Sequence, residues 1–286
     1  NGLPGFGFAE FALVGVPLFL RHTRAVELTA AGMQLLQAVA QALPRIDTAV
    51  RQIRQSAGRR QVTVTTFASF ASMWLIPRLE AFQREFADID IRVDASDVAV
   101  DLEVTDVDVA VRYARAERMP PGALRMFGES VTPMASPWLL KSGPPLKQPT
   151  DVLGHTLIEA ADAYTPHLEW LTWRRWLDTH GMARAQPKRW LSFNYAYQMT
   201  QAALSGQGIV LARPPLVAES LARGELVEVF PATRLHSPMA YWLLLAPRSA
   251  QRPEVKAFAD WLSAQAVATR EVTGEGEDSD LVNDLD

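Results

Sequence analysis

The sequence predicts an α/β protein in which a two-stranded ribbon and a long helix precede two strand-and-helix units that share a cleft. Three observations carry this. Alternating β-branched runs such as QVTVTTF (61–67) and IDIRVDA (89–95) are interleaved with stretches of helical spacing. A second set of the same kind begins at HTLIEA (155–160), and the chain crosses from one set to the other near 131–136 and back near 239–247. Leu35, Val39, Leu43, Ile46, Val50 and Ile53 recur at spacings of four, four, three, four and three, close to a heptad seam.

Taken in order, GVPLFLRHTRAVELT (15–29) reads as a ribbon with Arg21, His22 and Arg24 in its turn. That basic knot is either a solvated hairpin tip or a wing reaching DNA phosphates or the minor groove. Thr29 is placed to cap the helix that follows, with Gly58 just past its end, and Pro44 is expected to kink or divide it near Ala42. Its apolar seam either packs on its own domain or pairs with a second copy. Expected boundaries are 1–28 for the ribbon region, 29–58 for the helix, 61–134 with 240–268 for the first unit, and 135–239 for the second.

In open sheets of this kind ligands sit where strands run into helices. TTFASF (65–70) makes one such junction, with Ser69 as the expected helix cap, and FNYAY (193–197) the other, with Asn194 as the cap. ASDVA (95–99), carrying Ser96 and Asp97, faces the same cleft. Each cap is read either as an ordinary helix start or as a ligand contact.

With 286 residues and 48% hydrophobic content, the chain can bury a sizeable core. The absence of cysteine excludes disulfides and thiolate chemistry and fits a reducing, cytoplasmic setting. No apolar run is long enough to span a bilayer. The net charge of −4 conceals a segment, 271–286, with seven acidic residues and no basic one, which is expected to be disordered; the rest is net basic by three. The alternating acids of 88–108 read as solvated strand edges rather than a metal site, and the five histidines are scattered. Without a P-loop, GxGxxG, GxSxG or HExxH, no cofactor and no catalytic group is assigned.

GVPLFLRHTRAVELTAAG (15–32) resembles the G-x-P-L-F…L-T-x-A-G signature of LysR-type transcriptional regulators. The similarity runs on through VTVTTFASFASMWLIPRLEAFQREFADIDIRV, DVDVAVRYA and ALSGQGIVLARPPLVAESLARGELVEVF, covering roughly residues 12–268. WLIPRL-x-x-F and DVDVAVRY are similar to the branch containing the glycine-cleavage and β-lactamase regulators. The resemblance implies a winged helix-turn-helix, a dimerising linker helix and a two-lobed effector domain like a periplasmic binding protein. It implies promoter DNA and a small-molecule effector as partners, in a homodimer or homotetramer. It places Ser69, with Phe70 beside it, at the first-lobe effector contact, Tyr195 and Ala196 near the second, and Tyr241 on the return strand. One departure stands out. Only NGLPGFGFAEFALV precedes the G-x-P-L-F turn, and Gly2, Pro4, Gly5 and Gly7 break any helix there. The expectation is therefore that the first two reading helices are absent and that this chain binds promoter DNA weakly or not at all. A stand-alone small-molecule-binding protein of the same fold is the alternative.

Overall fold

The computed structural model describes residues 15–22, 25–55, 60–98, 100–160 and 169–275. They belong to two units, one ending at Arg59 and one starting at Arg60.

In the first unit, β1 (Phe19–His22) and β2 (Ala25–Leu28) form an antiparallel ribbon with Arg21 opposite Val26 and His22 opposite Ala25. Arg21 and His22 thus belong to a strand rather than to the turn. Thr23, Arg24 and the side chains of Arg21 and His22 lie outside the described residues. The next element is α1 (Ala30–Gln55). Thr29 caps it as expected, its Oγ1 accepting the Gly32 N–H at 3.0 Å and donating to the Pro17 carbonyl at 2.7 Å. A Cβ on Gly32 would stand 2.1 Å from the Leu18 carbonyl oxygen, so only glycine lets the ribbon sit this close to the helix. Pro44 does not divide the helix, which is one α-helix of 26 residues. Proline removes a single backbone bond, and the turns on either side keep theirs.

The second unit is built on one mixed sheet of nine strands. β3 (Arg60–Thr66) pairs in parallel with β4 (Ile89–Ala95) and β5 (Val109–Ala114). Further along lie β6 (Leu124–Ala135), β7 (Thr156–Ala160), β8 (Arg189–Phe193), β9 (Ile209–Ala212), β10 (Val227–Glu228) and β11 (Leu235–Leu245). The order is β4-β3-β5-β11-β6-β9-β7-β8, with β10 beside β6. β7 pairs in parallel with β8 and β9, but β6 and β11 are antiparallel to each other and to their outer neighbours. The sheet is therefore mixed, not parallel throughout. β6 changes partner at Val131/Thr132, from β11 to β9. β11 shifts register between Ser237 and Ala240, where Pro238 sits in the irregularity that proline tolerates.

Helices cover the sheet. A helical turn Ala68–Phe70 and a π-helical segment Ala71–Leu75 lead into α2 (Ile76–Glu85). α3 (Pro137–Ser142), α4 (Trp173–Thr179), α5 (Ala196–Leu204), α6 (Pro214–Ala222) and α7 (Pro253–Thr273) follow. Residues 102–104 form a turn. α7 runs on to Thr273, so the first part of the acidic segment 271–286 is helical rather than disordered; residues 276–286 lie outside the described residues.

The two lobes have separate cores. Val62, Val64, Phe70, Trp74, Phe82, Phe127, Tyr241, Phe258 and Leu262 fill the first. Val131, Leu157, Trp173, Trp176 and Ile209 fill one side of the second lobe, and Met134, Ile158, Met199, Val210 and Val217 the other. The three tryptophans near 170–176 thus divide: Trp173 and Trp176 are buried, while Trp170 lies half-buried under the Arg175 guanidinium, 3.8 Å from its ring centroid.

Candidate functional site

The first strand-to-helix junction follows β3. Phe67, extended at φ −77° and ψ 154°, is the cap residue, and its carbonyl accepts the Ala71 N–H at 3.0 Å. Ser69 is half-buried inside the first turn and does not cap. The aromatic rings explain the difference. Phe67 meets Phe70 and Tyr241 edge-on at 6.4 and 6.3 Å, which draws the chain into the helix two residues early. Phe70 itself is fully buried, stacked on Trp74 at 4.9 Å, so it serves the core and does not line a cleft. The π-helical turn that follows adds a residue to the register, a feature frequent at functional sites. The Trp74 indole N–H donates to Thr269 Oγ1 at 3.0 Å and ties this turn to α7.

Ser96 is brought beside this junction, because its N–H donates to the Thr66 carbonyl at 2.8 Å. Its own hydroxyl accepts the Val98 N–H at 3.2 Å, and Asp97 is exposed. Beneath, Thr66 Oγ1 is buried without a hydrogen-bond partner.

The second junction follows β8. Tyr195, not Asn194, is the cap residue, and its N–H donates to Gln198 Oε1 at 3.3 Å. Asn194 is exposed and Ala196 half-buried. Tyr195 is 38% exposed and stacks on Tyr197 at 5.5 Å. The structure brings the two junctions together: the turn Ala68–Phe70 is in contact with α5, and Met73 packs against both lobes' cores. Arg78 of α2 and Glu219 of α6 add an ion pair at 3.4 Å.

Below the junctions, the shared strands carry a buried polar cluster. Tyr241 is fully buried, so it is not an open contact; its hydroxyl donates to the Glu129 carboxylate at 3.1 and 3.2 Å. Arg213, cap residue of α6, lies 3.5 Å from Glu129 and 3.4 Å from the Tyr241 hydroxyl, over the Tyr113 ring. Tyr113 OH and Ser237 Oγ are 3.1 Å apart. Burial raises the Glu129 carboxyl above its ordinary range, with Arg213 and the phenols opposing. Burial alone lowers the Arg213 guanidinium, but Glu129 and the phenols outweigh it, so Arg213 stays charged. Burial and the Glu129 charge push both phenols well up. Glu129 and Arg213 were not among the expected site residues. Their only sequence signal is a lone acid in the strand RMFGESVTPMA and a lone arginine before PP.

In the first unit, the seam of α1 is open. Leu35 and Val39 are each 39% exposed, and Leu43 and Ile46 each 58%. The side chains of Val50 and Ile53 lie outside the described residues. Among the described residues no three acidic or histidine side chains group as metal ligands, and no helix is long and apolar enough to cross a membrane.

A family model described as the LysR substrate binding domain matches residues 55–267. The chain is 31% identical over 258 residues to the glycine cleavage system transcriptional activator of Escherichia coli strain K12, spanning 90% of this chain and 82% of that protein. It is 30% identical over 254 residues to the HTH-type transcriptional activator AmpR of Pseudomonas aeruginosa, spanning 88% and 82%. The effector domain of that regulator superposes with a TM-score of 0.56 at 29% identity, over 76% of this chain and 98% of the solved one. CrgA, a LysR-type transcriptional regulator from Neisseria meningitidis, superposes at 0.57 and 22% identity over 88% and 84%, which shows the fold. With the ribbon, the long helix and the two-lobed domain all in place, the chain belongs to the LysR family of transcriptional regulators.

Proposed function

We propose that a small-molecule effector seats between the two strand-to-helix junctions and draws the lobes together about β6 and β11. The observation that carries this is the contact between the turn Ala68–Phe70 and α5 across the shared strands. Ser69, Ser96 and Asp97 supply polar groups on one side. Asn194, Ala196 and the stacked pair Tyr195–Tyr197 form the other, with the rings as a planar wall. Polar groups at a helix start beside a planar apolar wall suit a small carboxylate-bearing molecule. The lobes exist in an equilibrium that the effector shifts by binding one arrangement more tightly.

In this reading the exposed seam of α1 is covered by α1 of a second copy, giving a homodimer from which a tetramer is built. Sedimentation of a Leu43→Asp, Ile46→Asp variant should show the dimer weakened; an unchanged dimer contradicts the pairing. Arg21, His22 and Arg24 contact the DNA backbone, and the protein acts in the cytoplasm as a regulator rather than an enzyme. Calorimetry with a panel of amino acids, aromatic acids and cell-wall peptides tests the effector site. A ligand of the wild type should bind Ser69→Ala at least about tenfold more weakly, a loss of roughly 1.4 kcal/mol. Equal binding to both removes Ser69 from the site.

A further inference from the structure

A second cavity lies where β6 pairs with β11, and a carboxylate reaches into it. A cavity of about 490 Å³ is lined by Arg125, Gly128, Arg234, His236 and Ser237 among others, and by the end of α7. Into it reaches Glu275. Both its carboxylate oxygens accept the Gly128 N–H at 2.9 Å, and Arg125 Nη2 donates to Oε1. The pair is well shielded, with side chains 17% and 14% exposed.

Three features show that this arrangement is built. α7 ends in a tight reversal: Gly274 adopts φ 73°, its N–H donates to the Glu271 carbonyl, and the Glu275 N–H donates to the Arg270 carbonyl. That reversal aims Glu275 at the strands. On the receiving side, the register shift of β11 between Ser237 and Ala240 leaves the Gly128 N–H directed into the cavity. Gly128 leaves room for the contact, since a Cβ there would lie 2.9 Å from Arg125 Nη2 and 3.0 Å from Glu275 Oε1. Arg234 adds a further link, donating to the Thr273 carbonyl at 3.3 Å while paired with Glu228 of β10. Glu129 also faces the cavity, its charge opposed by Tyr241 and Arg213.

We infer that this cavity is a carboxylate site distinct from the junction cleft, in which Glu275 acts as a resident ligand latching the end of α7 onto the shared strands. The cavity keeps about 490 Å³ beside Glu275, room for a small free carboxylate to take the Gly128 N–H and Arg125 when Glu275 is withdrawn. Because the latch sits at the register shift of β11 against β6, its release loosens the strands about which the lobes move.

Chemical rescue tests this. Thermal unfolding of the full chain is measured in chloride and in acetate at matched ionic strength. Glu275→Ala should lower the Tm in chloride by about 2–4 °C, what roughly 1 kcal/mol produces at this size. Acetate should restore that loss, leave the wild type unmoved, and fail to rescue a Glu275→Ala, Arg125→Gln double variant. Gly128→Ala should show the same loss without rescue. If Glu275→Ala melts with the wild type, or acetate shifts all the proteins alike, the site does not exist.

Discussion

At the first junction, TTFASF, the ring that matters most is sunk in the core: Phe70 is fully buried among Trp74, Phe127 and Tyr241. At the second, FNYAY, the rings of Tyr195 and Tyr197 stack on each other near the surface, with Asn194 exposed beside them. Both junctions are strand ends that enter helices and face one another, yet one is fixed by packing and the other is open. An interlobe site needs both properties. A rigid lip holds its polar groups in place, and an adaptable lip can settle on whatever occupies the gap.

The largest expected effect separates the two lips directly. Phe70→Ala should lower unfolding free energy by about 3–5 kcal/mol in urea, whereas Tyr195→Ala should stay within about 0.5 kcal/mol. Comparable losses would break the comparison. Next comes the floor beneath them. Arg213→Met leaves Glu129 buried without its cation and should cost about 3 kcal/mol at neutral pH. The sign of its pH dependence follows from the raised Glu129 pKa. The folded state binds that proton more tightly than the unfolded one, so its contribution is full below the ordinary carboxyl value and erodes as pH rises through the raised one. The Arg213→Met deficit should therefore shrink in acid, and Glu129→Gln should gain on the wild type as pH rises. A deficit independent of pH would show that Glu129 does not titrate there. The smallest effect concerns Thr66, whose hydroxyl is buried unpartnered under the rigid lip. Thr66→Val keeps the shape and should leave stability unchanged or raise it by up to about 1 kcal/mol. A clear loss would reveal a partner for that hydroxyl.

Much of the frame was legible because local chemistry and tertiary packing agree there. IDIRVDA and RWLSF are strands over the expected residues, and Thr29 caps α1. The caps at Ser69 and Asn194 were misplaced because a polar residue near a helix start is the local signal, while the aromatic packing of Phe67 decides the first entry point and Tyr195 takes the second cap. β11 begins at Leu235, ahead of the return crossing expected near 239–247, because Pro238 occupies a register shift and does not end the strand. Glu129 and Arg213 were invisible because neither residue says anything until the fold brings them within 3.5 Å. Glu275 was hidden for a similar reason, as one acid in an acidic segment until Gly274 turns it back.

The central claim, that an effector draws the two junctions together, has a direct test. The chain contains no cysteine, so a Ser72→Cys, Gln201→Cys variant carries spin labels only on the helical segments that follow the two junctions, at exposed positions. Pulsed electron spin resonance then measures the distance between them with and without each panel ligand that binds. The expected result is a shift of the distribution toward shorter distances at saturating ligand. An unchanged distribution with ligand bound would contradict closure of the lobes.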